Sequence, residues 1–147
     1  MITPVGLVMA TPLEAAPFIG EYVVEPVDEK PFRVYRGERH VLVLCGIGKA
    51  RAAMATALLI QRFSPSVMIN LGAAGALRSG FHVGDILQID RVLEPDRPAL
   101  VSGRERVAVP ATLDGFASAS LATQDRPMVS PDDRRAAGRV ADLADME

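Results

Sequence analysis

Apolar residues occur along this chain in short runs separated by glycine, proline and charge. Val5 to Met9 is continuous and apolar, the pattern of a strand buried on both faces. Pro12 then stands where a first helical turn would begin, with Thr11 as its N-cap, and Leu13, Ala16 and Phe18 are expected to give that helix its apolar side. Phe32 to Arg36 and His40 to Cys45 flank Gly37 and predict a β-hairpin whose second arm is the more central. After the turn Gly46-Ile47-Gly48, the stretch Lys49 to Phe63 predicts the longest helix. Ala50, Ala53, Met54, Ala57 and Leu58 repeat there at helical spacing, and Pro65 ends the run. Val67 to Leu71 predicts another buried strand, leading into the small-residue turn Gly72 to Ala76. Gly84 opens a strand over Asp85 to Val92. From Leu93 to Ala119 prolines and charges predict a long loop, of a length that is often functional. Ser120 to Thr123 predicts a short strand, Asp132 to Val140 a helix started by Ser130 or Pro131, and Ala141 to Glu147 the beginning of a further element.

Strands alternating with helices imply an α/β layer fold with a largely parallel sheet, and 147 residues imply one domain with a core of its own. Ligands in such sheets gather at the carboxyl ends of strands, which places the glycine turns after Cys45 and Leu71 on the functional edge. A net charge of −2 gives no basic stripe for nucleic acid. The single cysteine, Cys45, cannot form an internal disulfide and reads as a buried small apolar residue rather than a nucleophile. The opening MITPVGLVMATPLEAAPF has neither a basic segment nor a long apolar stretch, so neither a signal peptide nor a membrane span is expected, and the expected location is cytoplasmic.

Several motif readings are excluded by spacing. In Gly46-Ile47-Gly48 the third glycine of a dinucleotide fingerprint would fall on Arg51, and no acidic residue follows at the right distance. Gly48-Lys49 lacks the upstream glycine and the following hydroxyl of a P-loop. His40 and His82 lie far apart without a cysteine cluster, so no metal and no cofactor is expected, and both are read as solvated. No G-x-S-x-G is present. What remains are glycine-rich strand ends and placed carboxylates. Glu14, within LEAAPF, is either a solvated helix position or one turned into a cleft.

The stretch CGIGKARAAMATALLIQRFSPSVMINLGAAGALRSGFHVGDILQID resembles the purine nucleoside phosphorylase/nucleosidase superfamily, in particular 5′-methylthioadenosine/S-adenosylhomocysteine nucleosidases and futalosine hydrolases. The motifs are G-I-G-K before an Ala-rich helix, I-N-x-G-x-A-G at a strand end, and V-G-D-I beyond. ATPLEAAPF and the terminal Asp-Met-Glu add two more, and the likeness is weakest between Leu93 and Ala119. The resemblance implies a three-layer α/β fold around a mixed, largely parallel sheet, a purine nucleoside as the small-molecule partner, and a homodimer. It also implies roles. Glu14 would activate the attacking water. Ile47 would line the ribose side, and Ala73, Ala74 and Gly75 would floor the site beneath the base and anomeric carbon. Pro127 and Met128 would contact the purine. Met146 would pack on the ribose, and Glu147 would accept its 2′ and 3′ hydroxyls. Asp85 is read as a structural turn residue.

The chain also departs from the pattern. Related phosphorylases hold phosphate with an arginine and a serine where this chain has Asn70 and Ala73, so water is the expected nucleophile. An aromatic residue that stacks on the purine in the methylthioadenosine enzymes is replaced by Pro127, which leaves base preference open. The family continues past the position of Glu147 with a helix, a strand and a Ser-Asp motif whose aspartate protonates the leaving base, so the expectation is a C-terminally truncated domain. A phosphate-dependent phosphorylase and a non-catalytic nucleoside-binding domain are the alternatives.

Overall fold

The computed structural model describes residues 3–22, 24–97 and 107–147. The chain up to Ala73, joined by Glu147, forms one compact unit, and Ala74–Met146 forms a second.

The first unit is built on a five-stranded sheet in the order β2-β3-β4-β1-β5. Its elements are β1 (Val5–Met9), α1 (Pro12–Glu21), β2 (Glu25–Asp28), β3 (Arg33–Arg36), β4 (His40–Leu44), α2 (Lys49–Phe63) and β5 (Val67–Asn70). The inner strand β1 runs parallel to β4 and β5, while β2, β3 and β4 are antiparallel. Unbroken apolar runs in β1 and β4 follow from burial on both faces. Val8, Val41 and Val43 point to one face and pack with Ala55 and Leu59 of α2. Leu7, Met9, Leu42 and Leu44 point to the other and pack with Ala15 of α1. Each fully buried Val or Leu here stabilises the unit by roughly 1.5–3 kcal/mol.

Both helices turn a different face to the sheet from the one expected. In α1, Leu13 is 84% exposed and Ala16 is exposed, whereas Ala15 is buried with Ile19 and Phe18 beside it, Phe18 being the one expected residue among them. In α2, Met54 is 60% exposed, and Ala52, Ala55, Leu59 and Phe63 carry the packing, with Leu58 the one expected residue among them. Alanine on nearly every side of α2 offered two apolar stripes at helical spacing, and the sheet selected one. Ser64, in the left-handed conformation at φ 46°, caps α2 just before the expected Pro65 stop. The hairpin stands as read, with Arg36 opposite Val41. Strand β2 was illegible because EPVD is a polar edge segment; its Asp28 pairs with Arg62 of α2.

The second unit holds β6 (Gly75–Ala76), β7 (Leu87–Leu93), β8 (Val107–Ala108), β9 (Ala117–Thr123), α3 (Pro131–Ala137) and β10 (Leu143–Asp145). The sheet order is β6-β10-β9-β7-β8, with β10, β9 and β7 parallel and the two edge strands antiparallel. The mixed α/β architecture is thus realised in two five-stranded sheets. Strand β7 begins later than expected because Asp85 closes a turn, accepting the His82 backbone N–H at 2.7 Å. Of the expected loop, residues 98–106 lie outside the described residues; Leu93 belongs to β7, and β9 starts at Ala117 rather than Ser120. The C-terminal segment enters the sheet interior as β10, between β6 and β9. Its entry is stitched by Asp142, whose Oδ2 accepts the Ser120 N–H at 2.9 Å and hydroxyl at 2.6 Å, and whose Oδ1 lies 3.1 Å from Arg78.

Candidate functional site

Glu14 sits at the third position of α1, at the carboxyl end of β1. Thr11 and Glu14 form a reciprocal capping box: the Thr11 hydroxyl accepts the Glu14 N–H, and Glu14 Oε2 accepts the Thr11 N–H and hydroxyl, each at 2.8 Å. The other oxygen, Oε1, accepts the backbone N–H of Ala73 at 2.9 Å. The carboxylate is therefore turned to the glycine turn that follows β5. A carboxylate has roughly four acceptor positions, and these three bonds leave one on Oε1. Gly72 keeps the space open, since a Cβ there would lie 3.1 Å from Oε1.

The other glycine turn, after β4, lies in the same unit. Gly46 has φ +78°, and its missing side chain leaves room for Arg51, whose Nε donates to the Cys45 carbonyl at 2.6 Å and whose guanidinium lies over the Phe32 ring. The residue that broke the dinucleotide fingerprint therefore fastens this turn. Ile47, at its apex, is 56% exposed. Cys45 is buried, and its thiol donates to the Gly46 carbonyl at 3.0 Å. Burial first, and then the negative charge of Glu147, hold the thiol above its usual range, against the lowering effects of its backbone hydrogen bond and Arg51. It is a protonated packing residue, as read. Glu147 accordingly stands electrostatically close to Cys45 within the first unit.

The second unit carries an open cavity of about 360 Å³, at the lower end of small-molecule sites. Gly75, Pro127, Met128 and Met146, all expected site residues, line it together with Ala76, Leu77, Ala144, Asp145 and Arg134. Pro127 and Met128 arrive from the segment after β9, Met146 from the end of β10, and Arg134 from α3. Ala74 is exposed in the turn between Ala73 and Gly75 and is not among the lining residues. Thus Glu14, Ala73, Ile47 and Glu147 belong to the first unit, and Ala74, Gly75, Pro127, Met128 and Met146 to the second.

Arg134 and Asp145 escaped the sequence reading, because nothing in PDDRRAA distinguishes one arginine from its neighbour before the helix is placed. The Thr11-x-x-Glu14 capping signature was readable. His40 corrects an expectation: it is half-buried, with its ring edge-on to Phe18 and Tyr22 at 5.1 and 5.5 Å, because β4 places it beside α1. His82 is exposed as read. Among the described residues no cluster of three or more metal-binding side chains occurs, and no helix is long and apolar enough to cross a membrane.

Comparison with known proteins bears on this arrangement. A family described as the Phosphorylase superfamily matches residues 4–144. A 5′-methylthioadenosine/S-adenosylhomocysteine nucleosidase from Oceanobacillus iheyensis is 50% identical over 66 residues, covering 42% of this chain and 29% of that protein. One from Staphylococcus aureus is 44% identical over 78 residues, 53% of this chain and 34% of that protein. The matched stretch thus spans about a third of these relatives' length. In three dimensions, a Neisseria meningitidis 5′-methylthioadenosine/S-adenosylhomocysteine nucleosidase in complex with methylthio-immucillin-A superposes with TM-score 0.81 at 26% identity, over 99% of this chain and 76% of that one. A futalosine hydrolase of Helicobacter pylori gives TM-score 0.83 at 15% identity, over 99% and 80%, a likeness of fold.

Proposed function

Because the chain belongs to the phosphorylase superfamily, we propose that it hydrolyses the N-glycosidic bond of a purine nucleoside, of the 5′-methylthioadenosine/S-adenosylhomocysteine or futalosine type, using a water activated by Glu14. The observation that carries this reading is the Glu14 carboxylate, pinned by Thr11 and Ala73 with one acceptor position to spare. A base held so rigidly meets the geometric demand of general-base catalysis. Breaking the bond develops positive charge on the ribose, which Glu14 and Glu147 stabilise electrostatically. Glu147 accepts the ribose hydroxyls, and Met146 and Ile47 pack on the sugar. Ala73, Ala74 and Gly75 form the small-residue floor, and the purine lies against Pro127 and Met128. Water is favoured over phosphate because Asn70 and Ala73 leave no charged donor at the strand end and turn to hold a dianion. The related nucleosidases support the substrate proposal, the futalosine alternative rests on the sequence resemblance, and the protein is proposed to act in the cytoplasm, as a homodimer and a single domain.

The test is release of free base, followed by liquid chromatography, from methylthioadenosine, adenosylhomocysteine, futalosine and inosine. Glu14→Gln keeps a residue that serves at the third position of a capping box, so the fold survives. It removes the base, and release is expected to fall roughly 10²–10⁴-fold. Release by the variant within a few-fold of the parent rate would remove Glu14 from the mechanism.

A further inference from the structure

We propose that Arg134 makes the cavity of the second unit selective for a 6-oxopurine over a 6-aminopurine. The inference rests on reading that cavity as the base site. Its walls are mostly apolar or backbone: Gly75, Ala76, Leu77, Pro127, Met128, Ala144 and Met146, with Arg134 and Asp145 as the charged lining residues. Such walls accept any flat heterocycle, so discrimination between purines falls to the two polar groups.

Arg134 is held for this task. Its Nε donates to the Met128 carbonyl at 3.0 Å, which ties the guanidinium to a residue of the same cavity wall. That bond uses one of roughly five N–H donors. Among the described residues no ion pair or further side-chain hydrogen bond engages the others, whereas Arg126 and Arg135 are paired with Asp133 and Asp132. The terminal nitrogens are thus left as a planar fork. A fork of donors matches two adjacent acceptors. A 6-oxopurine presents O6 and N7 side by side, the pair that arginine reads bidentately, whereas a 6-aminopurine opposes an N–H donor to the fork at the 6-position. Asp145 does not decide the matter, because a carboxylate accepts equally from the N1–H of a 6-oxopurine and from a 6-amino group. The sequence left base preference open at Pro127, where stacking is lost; Arg134 supplies edge recognition in its place.

Calorimetric binding of hypoxanthine and adenine, free bases that differ at the 6-position, tests this without turnover. The unaltered chain is expected to bind hypoxanthine roughly tenfold or more tightly than adenine. Arg134→Leu should erase the preference by weakening hypoxanthine alone, and Arg134→Lys, which keeps the charge but loses the fork, should erase most of it. Equal or adenine-favouring binding, or a preference that survives Arg134→Leu, overturns the inference and leaves the nucleosidase reading standing. Binding of neither base overturns the inference and the assignment of the cavity together, and base release from a nucleoside then shows whether the hydrolytic reading survives.

Discussion

The segment that starts helix α1 also aims its carboxylate. Thr11 binds one oxygen of Glu14 twice, and Ala73 binds the other. Half of this was legible in the sequence, since T-x-x-E before an apolar stretch is a capping signature. The other half was not: Ala73 lies 59 residues away, and only the placement of β5 beside β1 brings its N–H to Glu14. Gly72 gives the residue-scale prediction. Its φ is one that other residues adopt, so Gly72→Ala should leave the melting temperature nearly unchanged. The new Cβ would stand 3.1 Å from Glu14 Oε1 and displace the carboxylate by tenths of an ångström. Misplacement on that scale should lower kcat/KM about tenfold, with the larger part in kcat. Kinetics indistinguishable from the parent would mean that the carboxylate need not stand where it does.

At the scale of elements, the order of strands and helices was readable and the helix faces were not. The runs VGLVM and HVLVL read as buried strands and are, whereas the alanines of α2 left two faces equally apolar until the sheet chose one. Three residues carry no periodicity, so β10 is not legible in the sequence; its neighbours on both sides define it. The Asp142 stitch that leads into it predicts a pH dependence. Hydrogen bonds from the Ser120 hydroxyl and backbone, with Arg78 beyond, hold this carboxyl below its usual value of 3.8. A depressed folded pKa contributes stability that is present above the unfolded value and lost as pH falls through the folded one. Melting temperature should therefore drop below about pH 4, and less steeply in Asp142→Asn. Asp133, lowered by Ser130 and Arg126, acts in the same sense in both proteins and cancels in the comparison. At neutral pH Asp142→Asn should cost on the order of 1 kcal/mol. Parallel acid profiles for the two proteins would show that the stitch contributes nothing through its charge.

For the whole molecule, family membership was carried by three linked motifs whose spacing places glycine turns at strand ends, and the match over residues 4–144 agrees with it. What the motifs could not convey is which wall residues matter, because a cavity is assembled from segments as distant as Gly75, Pro127 and Met146. The substitution of Asn70 and Ala73 for phosphate-holding residues is legible in one dimension and carries the sharpest proposal about chemistry, that the attacking group is water. The most direct measurement is the identity of the sugar product when base is released in the presence of millimolar phosphate. The account predicts free pentose, at a rate that phosphate does not change. A pentose 1-phosphate, or release that requires phosphate, would contradict it.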